Sequence, residues 1–289
     1  MTHAMTDVPG CRLAWWLTDL TPPWVADPPT LVMHHGIGAS RHIFDAWLPA
    51  LGLTHRILRF DMRGHGQSER PDATRLDMDR LSDDLLAVMD AAGVQQAHLL
   101  GESIGATVGL LTALRAPERF VSLTVSNGAH VGTSIESVSG WRRMIEAEGM
   151  TAWSDFMMEG RFAPDAIDPA AWRWFRDQQA TACPTTVLRM LTALVGVDLL
   201  DRLPGLRPPL LILHPDRSPF VPVAVAADLA ARVPGSRLHV IGGARHGLPF
   251  SHTRLCSGLV ADFIHAHRGC IGNDAVMGVY PVDRPGGDN

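Results

Sequence analysis

The feature that most constrains this chain is a Gly-Glu-Ser-Ile-Gly segment at residues 101–105, which stands between an apolar run and a run of small residues. Residues 97–101 predict a short strand, and residues 106–114 predict a helix. A serine held at a sharp strand-to-helix turn has strained backbone angles and tolerates no bulky neighbours, which explains the two glycines. The pattern predicts that the Ser103 hydroxyl stands exposed above the sheet as a nucleophile.

Two backbone N–H groups are expected to face the same point as this hydroxyl. Ile104 begins the predicted helix, so its N–H would point at a negative oxygen forming on a carbonyl that Ser103 attacks. The loop His35-Gly36-Ile37-Gly38 follows an apolar strand at residues 30–34. The N–H of Ile37 in that loop would complete an oxyanion hole, and we expect His35 and Gly36 to contact substrate. The plainer alternative is an ordinary glycine turn.

Composition excludes several classes of function. The formal net charge of −5 argues against a nucleic-acid partner. Every basic side chain is Arg, and the absence of Lys excludes a Schiff-base mechanism. The four cysteines lack the spacing of a metal site, and we expect no metal and no cofactor. No apolar run is long enough to cross a bilayer, and the predicted compartment is the cytoplasm.

The rest of the chain alternates between strands and helices, which predicts an α/β fold with a mostly parallel, doubly wound sheet and right-handed crossovers. An early edge strand is predicted before the first glycine loop, and a closing helix after the last strand. The predicted strands are residues 12–20, 30–34, 56–61, 97–101, 120–126, 209–213 and 237–241, and the helices outside the middle region are residues 42–51, 76–92, 106–115, 222–232 and 252–265.

Residues 132–206 interrupt this alternation, because they contain no strand-like run. Helical segments are predicted at residues 141–148, 151–158, 170–180 and 185–200, so the region is expected to form a helical cap, or lid, over the carboxyl edge of the sheet. The core domain would then comprise residues 1–131 and 207–268, followed by a tail at residues 269–289. The cap residues expected to contact substrate are Trp141, Arg142, Met144, Trp153, Met157 and Arg161. Alternatively, these side chains pack the insertion onto the core.

Two further polar side chains follow late strands. Asp216 comes after the strand at residues 209–213, and His246 comes after the last strand. Because the carboxyl ends of parallel strands share one edge, both residues can meet Ser103 there. The predicted roles are those of a catalytic triad, in which His246 takes and returns the Ser103 proton and Asp216 holds the imidazole tautomer.

Other side chains of the same types are weaker candidates. Asp198 and Asp201 lie in the insertion, His239 lies within a strand and His252 within the closing helix, so none occupies a strand-end loop. His65 lies in a polar glycine loop that precedes the nucleophile in the chain, and we interpret it as structural.

These motifs together resemble the α/β-hydrolase superfamily across about residues 12–268. The segments that carry the resemblance are residues 35–38, 61–68 and 101–105 with Asp216 and His246. Within the superfamily, the segments at residues 141–143 and 201–204 are similar to the 3-oxoadipate enol-lactonase group and its carboxylesterase-like relatives. The serine turn departs from that group, since it reads Gly-Glu-Ser-Ile-Gly-Ala rather than Gly-Leu-Ser-Met-Gly-Gly.

The predicted function is that of a cofactor-independent serine hydrolase that cleaves a small carboxylic ester or lactone through an acyl-serine intermediate. Arg142, Arg143 and Arg161 are candidates for holding a substrate carboxylate. One alternative keeps the triad but cleaves an amide or C–C bond, or transfers the acyl group to another acceptor. Another is a ligand-binding protein without catalysis. The expected partner is a small-molecule substrate, and no nucleic-acid or membrane partner is expected. Formation of a homodimer is left as an alternative.

Overall fold

A computed structural model describes residues 1–72, 76–136 and 138–267. Within these residues, eight strands form a single sheet with the order β1-β2-β4-β3-β5-β6-β7-β8. The strands are β1 Thr2–Val8, β2 Cys11–Thr18, β3 Thr30–His34, β4 Arg56–Phe60, β5 Ala97–Glu102, β6 Phe120–Ser126, β7 Leu210–Pro215 and β8 Arg237–Ile241.

Strands β3 to β8 run parallel, and β1 and β2 run antiparallel to their neighbours. The predicted α/β fold with a mostly parallel sheet is therefore confirmed. The prediction that the strand at residues 12–20 lies at the edge is wrong, because β1 pairs with β2 on its outer side. β1 escaped prediction because it is largely polar and only Val8 is buried. Gly10, with φ +88°, makes the tight turn that pairs the two strands.

The helices follow the predicted positions closely, with one difference in type. Residues 42–51 were expected to form one helix, but Arg41–Trp47 form a 3₁₀ segment and only one α-helical turn follows. Pro49 fixes the start of that turn. The α-helices are α1 Leu48–Leu51, α2 Met78–Ala91, α3 Ile104–Arg115, α4 Val138–Arg161, α5 Pro169–Ala180, α6 Pro184–Val195, α7 Val223–Arg232, α8 Leu248–Ser251 and α9 Thr253–Ala266.

Between β6 and β7 the described chain contains helices and short turns but no strand of the sheet. Helix α4 is interrupted at Gly149, which has φ +86° and ψ −178°, so it comprises the two predicted segments on either side of that residue. The last helix between β6 and β7 is α6, and it ends at Val195 rather than at the predicted residue 200. The predicted tail at residues 269–289 lies outside the described residues. None of the described helices combines the length and the apolar character needed to span a membrane.

The central strands are buried on both faces, which fixes where the functional loops emerge. Every residue of β3 and β5 is buried. Along β3, Val32 packs into the apolar layer on one face of the sheet, whereas Leu31 and Met33 pack into the layer on the other. Parallel strands held in this way carry their following loops to one common edge. The loops after β3, β5, β6, β7 and β8 therefore meet there.

A buried ion pair fastens the loop after β4 to helix α2. The guanidinium of Arg63 donates two hydrogen bonds to the carboxylate of Asp84, at 2.6 and 2.5 Å. The two side chains are 0% and 5% exposed. Burial raises the pKa of Asp84, and the Arg63 guanidinium offsets that effect in part.

We expect Arg63→Ala to lower the free energy of unfolding by about 3–5 kcal/mol, because it leaves the Asp84 carboxylate buried without a partner. Urea denaturation followed by circular dichroism measures this loss. The control is Arg12→Ala, since Arg12 also forms a two-bonded pair, with Glu69, but at an exposed position. The control should change stability far less. Equal losses for the two variants would contradict the assignment of Arg63 as a buried brace.

Candidate active site

Ser103 lies at the turn between β5 and α3, in the strained conformation that the sequence predicts. Its backbone has φ +56° and ψ −121°, a combination of angles that residues other than glycine rarely adopt. A Cβ atom at Gly101 would collide with the carbonyl oxygen of Gly105, and one at Gly105 would collide with that of His34. The glycines are therefore required by close approach of the backbone, and the Ser103 hydroxyl projects from the turn.

His246 lies beside this hydroxyl. Its Nε2 atom is 3.2 Å from Ser103 Oγ, although the two residues are 143 positions apart in the chain. The loop after β8 is held in place by the end of α4, because His246 N–H donates to Gly160 O at 3.2 Å and Gly247 N–H donates to Arg161 O at 2.8 Å. The side chain of Asn127 donates to the carbonyl oxygen of His246.

The third predicted member of the triad, Asp216, does not contact His246. The described residues include no hydrogen bond between the two side chains, and Asp216 is exposed, with its carboxylate 3.9 Å from Arg217 Nε. Instead, the hydroxyl of Ser218 lies 3.1 Å from His246 Nδ1. The Asp216 N–H still pairs with Ile241 O. The chain has therefore not left the sheet at Asp216, and Ser218 is the residue that reaches the imidazole.

Ser218 is absent from the predicted site, because a catalytic triad calls for an acidic side chain after β7. A signal was nevertheless present, since two prolines, Pro219 and Pro222, mark where the chain turns away from the sheet. A residue beside that turn is better placed to reach a neighbouring loop than one at the strand end.

The peptide group that carries the Ile37 N–H, and the peptide group after it, are both held by hydrogen bonds in the loop that follows β3. On one side, Gly36 O accepts a hydrogen bond from Ala39 N–H at 3.2 Å and one from His35 Nδ1–H at 2.8 Å. On the other side, Ile37 O accepts from Arg161 Nη2 at 2.8 Å, and Gly38 N–H donates to His65 at 3.0 Å. Within the described residues no acceptor takes the Ile37 N–H.

The N–H of Ile104 is the second predicted oxyanion donor, and it lies in the first turn of α3. The first N–H groups of a helix have no partner within the helix, so they are available to an anion. Ile37 and Ile104 are both buried, and the side chain of Ile37 lines the cavity beside Ser103.

His35 and Gly36 were predicted to contact substrate. In the structure, both residues instead make contacts that hold the loop in its conformation. The Nε2 atom of His35 accepts a hydrogen bond from Met62 N–H at 2.9 Å. A Cβ atom at Gly36 would collide with the carboxylate of Glu102, so only glycine fits there. Neither residue is among the described residues that line the cavity.

A largely apolar cavity lies between Ser103 and the helices that follow β6. Of the predicted cap residues, Trp141, Trp153, Met157 and Arg161 line it. Met144 is half-buried and packs against the core instead. Arg142 is exposed on the outside of α4, where it donates to Thr192 at 2.6 Å. The remaining lining residues are Ile37, Ser103, Thr107, Asn127, Ala129, Ile135, Leu191, Leu194, Phe220, Val221 and His246.

The one cationic side chain among the described lining residues, Arg161, is only 2% exposed. Its guanidinium donates to Ile37 O and to Gln179 Oε1, and its Nη1 atom is 3.8 Å from a carboxylate oxygen of Glu102. Burial lowers the pKa of Arg161 and raises that of Glu102, and the proximity of each group opposes the shift of the other. Arg161 thus connects α4, α5, the loop after β3 and the residue that precedes Ser103.

His246 is held in its neutral form. Burial lowers its pKa well below the usual value, and the charge of Arg161 and the neighbouring His214 lower it further. A neutral imidazole can accept a proton, which a general base requires. The site can therefore offer a hydroxyl and an imidazole to one bound carbonyl group.

We expect Arg161→Met to lower the free energy of unfolding by about 3–5 kcal/mol, because Glu102 is left buried without its cation. Adding Glu102→Gln should recover more than about 1 kcal/mol of that loss. Urea denaturation of the wild type, both single variants and the double variant gives the coupling energy. Arg142→Met, on the exposed face of the same helix, is the matched control and should change little. Additive losses would show that the two side chains do not interact.

Stability should fall as the pH falls from about 6.5 to about 4. Burial lowers the pKa of His34 and of His65 to about 4, so in this interval the unfolded chain binds more protons than the folded one. The raised pKa of buried Glu102 acts in the opposite direction. Urea midpoints measured at intervals between pH 7 and pH 4.5 test this.

His65→Asn should flatten the pH dependence of stability, whereas His265→Asn, on the exposed last turn of α9, should leave it unchanged. A wild-type midpoint that rises on acidification over this range would contradict the assignment of neutral, buried imidazoles.

Comparison with known proteins places this geometry in a family. A family model described as alpha/beta hydrolase fold matches residues 29–253. The 2-hydroxymuconate semialdehyde hydrolase of Pseudomonas sp. (strain CF600) is 28% identical over 250 residues, which cover 81% of this chain and 86% of the relative. The 3-oxoadipate enol-lactonase 1 of Acinetobacter baylyi is 29% identical over 150 residues, covering 52% of this chain and 51% of the relative.

Among solved structures, the enol-lactonase from Burkholderia xenovorans LB400 superposes with a TM-score of 0.81 at 23% identity, over 91% of this chain and 100% of that one. The resemblance predicted from the sequence motifs is thus confirmed, with enol-lactonases among the similar proteins. The chain belongs to the alpha/beta hydrolase fold family.

Proposed function

We propose that this protein is a serine hydrolase that cleaves a small carboxylic ester or lactone through an acyl-Ser103 intermediate. The observation that carries the proposal is the 3.2 Å approach of His246 Nε2 to Ser103 Oγ, on a strained strand-to-helix turn. The relatives named above are hydrolases, which supports the same class of reaction.

The proposed reaction uses four groups of this chain. Ser103 Oγ forms a bond to the carbonyl carbon, its proton passes to a bare Nε2 of His246, and the carbonyl oxygen becomes negative between the N–H groups of Ile37 and Ile104. The bond to the leaving oxygen then breaks, and that oxygen takes the proton from Nε2. Water attacks the acyl-Ser103 ester and gives a proton to His246. Release of the carboxylic acid returns that proton to Ser103.

The cavity favours an uncharged acyl group over a dicarboxylate. Ten of the fifteen described residues that line it are apolar. Of the three arginines predicted to hold a carboxylate, Arg142 and Arg143 are exposed, and Arg161 is already bonded to Ile37 O and Gln179 and lies beside Glu102. A substrate carboxylate would therefore have to displace partners that Arg161 already has.

The helices between β6 and β7 fit the role of a cap. Trp141, Trp153, Met157 and Arg161 on α4, with Leu191 and Leu194 on α6, supply much of the cavity wall. We therefore propose that residues 132–206 form a cap that determines which acyl groups fit. Residues 1–131 and 207–268 would form the core domain that carries the reacting groups.

The test is Ser103→Ala, assayed on p-nitrophenyl butyrate and on p-nitrophenyl hemisuccinate. We expect kcat/KM to fall by about 10⁴-fold or more, because both the nucleophile and its proton are removed. The control is Ser236→Ala. In the wild type the Ser236 hydroxyl donates to Ala230 O, and neither residue is among the described residues that line the cavity. The wild type should prefer the butyrate ester by about tenfold or more, since the described residues that line the cavity include no cation without a partner.

A fluorophosphonate probe should label Ser103 in the wild type and not in Ser103→Ala. A loss of only a few-fold, or labelling elsewhere, would refute the mechanism. Product analysis separates the remaining alternatives, since amide cleavage, C–C cleavage and acyl transfer each give a different product pair. Tight binding of a small ligand without any turnover would favour the ligand-binding alternative.

A further inference from the structure

Within the part of the chain that the structure describes, the Ser218 hydroxyl has three hydrogen-bonding neighbours. Together they restrict where its proton can go. Phe220 N–H donates to Ser218 Oγ at 3.3 Å, and Val221 N–H donates to it at 3.2 Å. The third neighbour is His246 Nδ1, at 3.1 Å. A hydroxyl oxygen has two lone pairs and one proton. The two backbone donors occupy the lone pairs, so the hydroxyl proton is left for Nδ1.

The opposite arrangement is less well satisfied. If Nδ1 carried a proton, one oxygen would have to accept three hydrogen bonds, and the Ser218 proton would have no acceptor among the described residues. A carboxylate in the same place would behave differently, because it only accepts hydrogen bonds and so requires a proton on Nδ1. The chemical type of this residue therefore selects the tautomer of the imidazole.

The loop that carries Ser218 is fixed by bonds of its own. His214 at the end of β7 donates from Nε2 to Val221 O at 3.0 Å, and Arg217 N–H donates to Ala244 O at 3.1 Å. The ring of Phe220 packs against the His246 ring, with the two centroids 5.0 Å apart. These contacts hold the hydroxyl in position and keep the exposed Asp216 on the outer side of the loop.

We propose that Ser218 is the positioning residue of His246, and that its hydroxyl donates to Nδ1 and so keeps the imidazole proton on Nε2 in the resting protein. The inference rests on the proposed function for its catalytic meaning, but the hydrogen bond itself is a property of the free protein. In this resting state Nε2–H donates to Ser103 Oγ, which is the reverse of the bond that general-base catalysis uses. Only the minor tautomer, with a bare Nε2, can take the Ser103 proton.

The first experiment is ¹⁵N NMR of the imidazole side chains in the full-length protein, with His246→Gln used to assign the His246 signals. We expect the His246 nitrogen shifts to show a protonated Nε2 and an unprotonated, hydrogen-bonded Nδ1. Ser218→Thr keeps a hydroxyl and should preserve this pattern. Ser218→Ala removes the donor and should move the Nδ1 resonance. A purely structural role for Ser218 would not distinguish these two variants in that way.

The second experiment is Ser218→Asp, which supplies an acceptor in place of a donor. We expect the imidazole proton to move to Nδ1 and kcat/KM for p-nitrophenyl butyrate to rise by roughly tenfold or more, because the active tautomer becomes the major one. Ser236→Asp introduces the same charge on the turn before β8 and should leave kcat/KM unchanged. Should Ser218→Asp fail to fold, the comparison of the threonine and alanine variants by NMR still decides the proposal.

Two results would overturn the proposal. One is a resting wild-type imidazole with its proton on Nδ1. The other is a loss of about 100-fold in kcat/KM on Asp216→Asn, which would show that Asp216 supports His246 after all. Failure of the proposed function has a different signature, because an unreactive Ser103 would leave the NMR result for His246 and Ser218 intact.

Discussion

The buried guanidinium of Arg161 is the interaction on which the arrangement at this sheet edge depends. It lies at the end of α4, donates to Ile37 O in the loop after β3, and is 3.8 Å from Glu102, the residue before Ser103. The carbonyl oxygen of the same residue accepts from Gly247, which follows His246. One residue therefore fixes the relative positions of three loops. A buried cation is costly unless it is paired, so these loops and the carboxylate of Glu102 must be in place together.

Buried, neutral histidines also hold these loops through hydrogen bonds. His34, His35 and His65 each place Nδ1 against a backbone carbonyl oxygen, which requires a proton on that atom. The opposite nitrogens of His35 and His65 are then free to accept from backbone N–H groups. His246 differs, because its Nδ1 meets a hydroxyl that can also donate. The same pairing of donors and acceptors thus gives two fixed loop supports, and at His246 it underlies the proposed tautomer.

The cavity is lined by residues from two parts of the chain. Ser103 and His246 come from loops at the edge of the sheet, whereas Arg161 and much of the apolar wall come from α4 and α6. The segment between β6 and β7 therefore affects what can bind. Through Arg161 and the carbonyl oxygen of Gly160, it also helps to hold the loops that carry the reacting groups.

Much of the fold could be predicted from the sequence alone. The apolar runs of β3, β5 and β6 and the glycine pattern around Ser103 are local signals, and each was sufficient to place its element. The strand β1 was missed because its polar residues carry no such signal and are held by pairing with β2. The 3₁₀ segment at Arg41–Trp47 was likewise mistaken for an α-helix, because the hydrophobic spacing of so short a segment does not separate the two.

For the site, local residue patterns were enough to predict the strained serine turn, the glycine loop that carries Ile37 and the histidine after the last strand, because each depends on residue types within a few positions. Only the folded chain shows that Ser218 rather than Asp216 reaches His246. It also shows that the Arg161 guanidinium is bonded within the protein and that Arg142 faces outward. These outcomes depend on where β7 ends and on which face of α4 is covered. Such facts arise from packing between segments far apart in the chain, which no local pattern records.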